Sequence, residues 1–239
     1  MNLLIAEACA VIPTLLLVWY YYRQDTRKPE PKGLIMGIFG LGIVVTIPVI
    51  VVELLLGSFE WMFLDIPLLY HVFRAFVVAA LCEEWFKLLV VKHAAYRNVH
   101  FDEIMDGIVY TVTASLGFAC LENILYVLDG GLQVALLRAF TAVPMHALAS
   151  GMMGYYIGHA KFAADPVREN ALFRKGLWVA IFIHGLYDVI LFAGPEIHPL
   201  LSLSIFPLLI IVFIKMRQKI KLAIAADIQG GHGEESRDC

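Results

Sequence analysis

LIMGIFGLGIVVTIPVIVVELLL, residues 34–56, holds one ionisable side chain, Glu53, and holds it near its end. At about 1.5 Å of rise per residue, such a run crosses roughly 30 Å of hydrocarbon as a single helix. Outward from it lie six further apolar runs, at about 2–22, 68–92, 107–128, 133–159, 175–193 and 199–216. Short polar or Gly/Pro-bearing breaks separate them. These are QDTRKPEPKG (24–33), the stretch around Asp102 to Asp106, Asp129-Gly130-Gly131, ADPVRENALFRK (164–175) and Gly194-Pro195-Glu196. The whole chain agrees with this reading: 239 residues, 60% hydrophobic and 16% charged, with mean hydropathy +0.77. Soluble domains average about 45–50% apolar and about 25% charged. The expected fold is an all-α polytopic transmembrane bundle of about seven spans.

Residues 1–216 form the expected membrane domain, and 217–239 a polar cytoplasmic tail, disordered at its end. The first run is expected to be retained, not cleaved as a signal peptide. No basic residue precedes it, and it ends in the aromatic cluster Trp19-Tyr20-Tyr21-Tyr22 followed by Arg23, as an interfacial span end does. All but three of the 18 Lys and Arg residues fall in alternate breaks and the tail: Arg23, Arg27, Lys28, Lys32; Lys92, Arg97; Lys161, Arg168, Arg174, Lys175; Lys215, Arg217, Lys219, Lys221, Arg237. The positive-inside rule then puts the N-terminus outside and the C-terminus in the cytoplasm.

The net charge of −3 gives no reason to expect nucleic acid. Cys9, Cys82, Cys120 and Cys239 lack the spacing of a metal or redox motif and read as small apolar side chains.

The ionisable residues within the runs are the anomaly. Arg74, Glu83, Glu84, Lys87, Glu122, Arg138 and Asp188 lie there, with His146 and His184. A charge at a helix centre costs on the order of 2.5–3.5 kcal/mol on insertion scales. Seven facing lipid would cost roughly 20 kcal/mol, beyond a typical protein's stability. They must therefore face inward and pair, or line a wet cavity. Lys87 follows Glu83 by four residues and Glu84 by three, within reach of both. Asp188 follows His184 by four, and Ser150 follows His146 by four. Gly151, Gly154 and Gly158 on the His146 run would admit a neighbouring backbone.

Each feature also has a structural reading. A membrane histidine can simply join helices, and a Glu–Lys pair can simply be an ion pair. Arg74 and Arg138 lie in the outer halves of their runs and read as structural; Glu7 and Glu53 read as interfacial, as do His71, His93, His100, His159 and His198. Four successive runs each supplying a titratable group is harder to explain by packing. Adjacent carboxylates in a low-dielectric site do not readily ionise together, so such a pair can divide acid and base roles. One can activate water and protonate a leaving amine, while a histidine and Asn123 stabilise an oxyanion. The alternative is a zinc ion held by Glu122, His146 and His184. No HExxH occurs, so no metal is firmly expected.

These stretches resemble a known family. CEEWFK resembles the Glu-Glu-x-x-Lys motif of the PrsW intramembrane proteases, FACLEN their Phe-x-x-x-Glu-Asn motif, and HGLYD their His-x-x-x-Asp motif. PMHAL with its Gly-rich sequel resembles their histidine-bearing segment. The resemblance spans about 83–188 in the family order. It implies Glu83, Glu84 and His184 as primary catalytic residues, Glu122 and His146 as further members, and Lys87, Asn123 and Asp188 in support. It also implies a multi-pass bacterial cell-membrane enzyme that makes the first cut in a single-span substrate of the anti-sigma-factor type. The related CAAX endopeptidases show Glu-Glu-x-x-x-Arg; here Lys87 stands one place earlier, which favours the PrsW branch. Zinc is possible on this resemblance, but metal-independent glutamate chemistry is the expectation. A proton-coupled transporter or channel, and a non-catalytic membrane scaffold, are the competing classes.

Overall fold

The structure, a computed structural model, describes residues 2–231. Among these residues it is helical throughout, without strands: α1 Asn2–Tyr22, α2 Lys32–Gly57, α3 Pro67–Phe73, a π-helical segment Arg74–Leu81, α4 Cys82–Ala94, α5 Ile104–Phe140, α6 Ala142–Lys161, α7 Pro166–Ile197 and α8 Ile205–Gly230. Short 3₁₀ turns, Glu60–Phe63 and Pro199–Ser204, precede α3 and α8. Five stretches are long and apolar enough to cross a membrane: Ile5–Tyr22, Lys32–Gly57, Ile104–Lys161, Pro166–Ile197 and Pro199–Gly230. The protein is a multi-pass membrane protein. The rod from Pro67 to Ala94 is less apolar because it carries Arg74, Glu83, Glu84, Lys87 and Lys92.

The Ile104–Lys161 stretch contains two of the expected runs, because the chain reverses within it. Gly131 has φ 64° and ψ −157°, a backbone conformation open to glycine and strained for other residues. Beyond it the chain returns antiparallel along α5. Arg138 meets Glu122 and Asn123, Ser115 meets the carbonyl of His146, and Gly107 meets Gly154 and Gly158. The glycine expectation holds in part. A Cβ at Gly158 would strike the Ile104 carbonyl and one at Gly154 the Gly107 carbonyl, whereas Gly151 faces the side chains of Val112 and Met216. Close backbone approach of this kind substitutes for the hydrophobic drive that helices lack in lipid.

Every residue of α5 from Ile104 to Cys120 is buried. A helix apolar on all sides must be enclosed on all sides, and α5 is the centre of the bundle, packed by α1, α2, α6 and α8. The outer helices expose Leu15, Leu16, Val44, Ile47, Leu54, Ile210 and Ile211, the surface a bilayer would cover.

The last helix departs from the sequence expectation. It does not stop near residue 216: α8 runs to Gly230, and Ile220, Ala223 and Asp227 are buried on its inner face. Asp227 accepts hydrogen bonds from the free backbone N–H groups of Ile104 (2.6 Å) and Met105 (3.1 Å), capping α5 from across the bundle. The expected disorder at the chain end lies outside the described residues.

Candidate active site

The glutamate pair sits at the start of α4, directly after the π-helical segment. π-turns inside helices concentrate at functional sites because the added residue turns the following side chains. The Phe76 ring of that segment lies where a side chain on Gly185 would be, so the glycine next to His184 allows α7 to close on the glutamates.

Six of the expected residues converge. Lys87 Nζ donates to Glu83 Oε2 (2.9 Å), Glu84 Oε1 (2.8 Å) and His146 Nδ1 (3.0 Å), and packs 4.4 Å from the centre of the Phe118 ring. His184 Nδ1 lies 3.0 Å from Glu84 Oε1, and its Nε2 is 3.2 Å from Asp188 Oδ2 and 3.9 Å from Glu83 Oε1. The two imidazole rings meet edge to face, 5.2 Å between centroids. All these side chains are buried, Lys87 and Glu84 completely.

The two glutamates are not equivalent. Glu84 has both oxygens engaged, Oε1 by Lys87 and His184 and Oε2 by the Ser150 hydroxyl at 2.7 Å. Ser150 in turn lies 2.9 Å from Ser115, which donates to the His146 carbonyl. Glu83 commits Oε2 to Lys87, and its nearest recorded partner on Oε1 is His184 at 3.9 Å. Glu83 and not Glu84 reaches the wall of a cavity of about 490 Å³. Glu122, His146, His184 and Asp188 share that wall, as does Glu53.

Glu122 is reached through His146, whose Nε2 is 2.8 Å from Glu122 Oε2. Lys87 can only donate, so His146 Nδ1 accepts from it and Nε2–H donates to Glu122. Arg138 Nη2 forms an ion pair with the same Glu122 oxygen at 2.8 Å, although its N–H is not well aimed along the contact. Arg138 Nε donates to Asn123 Oδ1 (2.6 Å), and Asn123 Nδ2 reaches the Ala10 carbonyl (3.4 Å). Asn123 is thus tied into helix packing and is not part of the cavity wall.

Sequence reasoning missed Ser115 and Glu53 as neighbours of the site and gave Arg138 only a general structural role. Arg138 becomes legible once the reversal at Gly131 is known, since the return path brings residue 138 beside 122. Nothing in the sequence around Ser115 marks it.

For a metal, Glu83, Glu84, His146 and His184 present donor atoms within 4.8 Å of one another. Carboxylate and imidazole are ligand types that zinc takes. This set keeps the two histidines of the sequence expectation, with Glu83 and Glu84 in place of the Arg138-bound Glu122.

A membrane bundle that buries paired carboxylates, histidines and a lysine against a cavity is the architecture of an intramembrane hydrolase, and the comparisons agree. Residues 30–216 match the family model described as PrsW family intramembrane metalloprotease. Relatives named Protease PrsW include those of Geobacillus kaustophilus (strain HTA426), 38% identical over 78% of this chain and 79% of the relative, and Bacillus subtilis (strain 168), 36% identical over 78% and 82%. A third, from Clostridioides difficile (strain 630), is 33% identical over 76% and 77%. No solved structure matches. The chain belongs to the PrsW family of intramembrane proteases.

Proposed function

We propose that the protein hydrolyses a peptide bond in a single-span membrane protein of the anti-sigma-factor class, in a bacterial plasma membrane, with Glu83 as the base that activates water. The asymmetry of the glutamate pair carries this reading. Glu83 has an oxygen turned to the cavity, while every oxygen of Glu84 is spent on positioning. Water bound in the cavity gives its proton to Glu83 as it attacks the carbonyl carbon, and Glu83 returns that proton to the leaving amine. His184, gripped through Nδ1 by Glu84 and through Nε2 by Asp188, stands beside Glu83 on the wall, and its Nε2–H turns from Asp188 to the developing oxyanion. His146, Glu122 and Arg138 hold Lys87 and the far wall in place. The test is incubation of the purified protein in detergent with candidate single-span substrates. Wild-type protein should release two fragments, and uncut substrate in every case would remove the proposal.

The donor set fits a zinc-type ion in kind, and Glu83, Glu84, His146 and His184 would hold it. Bound there, zinc would polarise the water and the scissile carbonyl. Lys87 already places a cation on three of these four residues. We therefore expect cleavage to survive prolonged treatment with 1,10-phenanthroline, which removes zinc and leaves hard cations in place. Stoichiometric zinc in the purified protein, with activity lost to the chelator and restored by zinc, would replace the glutamate-only chemistry with a metal one.

We also propose seven crossings with the N-terminus outside, resting on the Lys/Arg distribution. A reporter active only in the cytoplasm should give signal at the C-terminus and none when inserted beside Gly130. Signal at Gly130 would show a different number of crossings.

A further inference from the structure

A second group of buried acids lies at the opposite end of the central helix from the cavity. Asp25, from the turn between α1 and α2, meets Glu103 and Asp106 at the start of α5, with one carboxylate oxygen of each within 4.8 Å of the others. Glu30, from the same turn, adds a fourth carboxylate beside Asp106. All four residues are buried, none more than 3% exposed. Glu103 and Asp106 are about 16–19 residues from Glu122 along α5, about 24–28 Å of helix, so this group is separate from the active site.

The bonding within the group is incomplete in one direction. Asp106 Oδ2 accepts the backbone N–H groups of Asp102 (2.8 Å) and Glu103 (2.6 Å), and Glu30 Oε2 accepts the Tyr110 hydroxyl. Asp106 Oδ1, Glu30 Oε1 and both oxygens of Asp25 are sealed from solvent with no well-aimed donor; the Lys28 backbone N–H and Glu103 lie against Asp25, and Asp106 and Glu30 face one another. Nearby cations engage the edges: Arg27 Nε is 3.7 Å from Glu103 Oε1, and Lys28 pairs with Asp102. Carboxylate oxygens turned on one another in a dry niche are costly, and buried charge is ordinarily paired or coordinated to a metal.

We propose that Asp25, Glu103 and Asp106, with Glu30 beside them, form a binding site for a hard divalent cation of the calcium and magnesium class. The donors are all carboxylate oxygens, without the thiolate or imidazole that softer metals favour. The site joins the α1–α2 turn to the start of α5, where Asp227 of α8 also caps. Its role is then to lock together two elements that are distant in sequence, the α1–α2 turn and the start of α5.

The experiment is thermal unfolding of the full-length protein in detergent, stripped of metal and then titrated with CaCl₂ or MgCl₂ in separate arms. At about 100 times Kd, one of the two ions should raise the midpoint by roughly 5–10 °C. Asp25→Asn and Glu103→Gln should abolish that rise, while their metal-free midpoints equal or exceed wild type because one repelling charge has gone. Glu83→Gln should keep the full rise, which separates this site from the catalytic one whatever the outcome for proteolysis. No rise with either ion, an undiminished rise in Asp25→Asn, or a rise lost only in Glu83→Gln would each overturn the assignment. So would a metal-free Asp25→Asn protein that unfolds well below wild type, since Asp25 would then be held by polar contacts and not waiting for a cation.

Discussion

Glu83→Gln should abolish cleavage while leaving the protein inserted, monodisperse and close to wild type in thermal midpoint. The amide keeps the shape of the carboxylate and can still accept from Lys87 through its oxygen, but it cannot take a proton from water. General-base contributions are typically about 10²–10⁴-fold, and the loss should be at the upper end because no second free carboxylate oxygen adjoins the Glu83 position on the pair. Asp188→Asn should be milder. That residue touches His184 at 3.2 Å and acts through it, and an amide keeps part of that hydrogen bond. Comparable supporting contacts at metal sites cost about 10–100-fold. Rates are read as product fragments against time on one single-span substrate. If Glu83→Gln cleaves near the wild-type rate, the buried acids are structural or conduct protons, and transport becomes the better account of the cavity.

Lys87→Met should produce the largest loss of stability of any single change at the site. The ammonium is fully buried and bonded to Glu83, Glu84 and His146 together. Removing it leaves two carboxylates face to face with no cation between them. Breaking a buried ion pair from one side costs about 3–5 kcal/mol, a large part of a net stability of about 5–15 kcal/mol. The apparent midpoint in detergent should fall by roughly 6–20 °C. Adding Glu83→Gln and Glu84→Gln to Lys87→Met should recover much of that loss, because the unpaired charges disappear with their partner. A single variant as stable as wild type would mean that the lysine is not what neutralises the pair.

Much of this was readable in the sequence, for a physical reason. Against a background this apolar, each charge is conspicuous, and i+3 and i+4 spacing fixes which side chains can meet on one helix. Glu83, Glu84 and Lys87, and likewise His184 and Asp188, were paired on that basis and are paired in the structure. Contacts between helices were less legible. Glu122 with Arg138, and Ser150 with Glu84, depend on how far the chain travels after Gly131 before it lies beside α5, and no local spacing encodes that distance. The run of α8 to Gly230 failed for another reason. Hydropathy falls after residue 216, yet Ile205, Leu209, Val212, Met216, Ile220, Ala223 and Asp227 keep one unbroken inward stripe. Periodicity held the answer where average hydrophobicity did not. The π-segment left no trace in composition at all.

The placement of Lys87 on the same helix as both glutamates also bears on how the protein is made. His146, His184 and Arg138 are synthesised well after α4, so when that helix leaves the ribosome and is offered to the lipid it has none of its later partners. Its own lysine, one turn on, already balances much of the charge that would oppose entry. The helix can therefore be delivered to the bilayer as a self-neutralised unit, and on the proposed mechanism its proteolytic competence waits until α7 brings His184. On that mechanism, a nascent chain halted before α7 would be inserted and inert, unable to cut its neighbours during its own biogenesis.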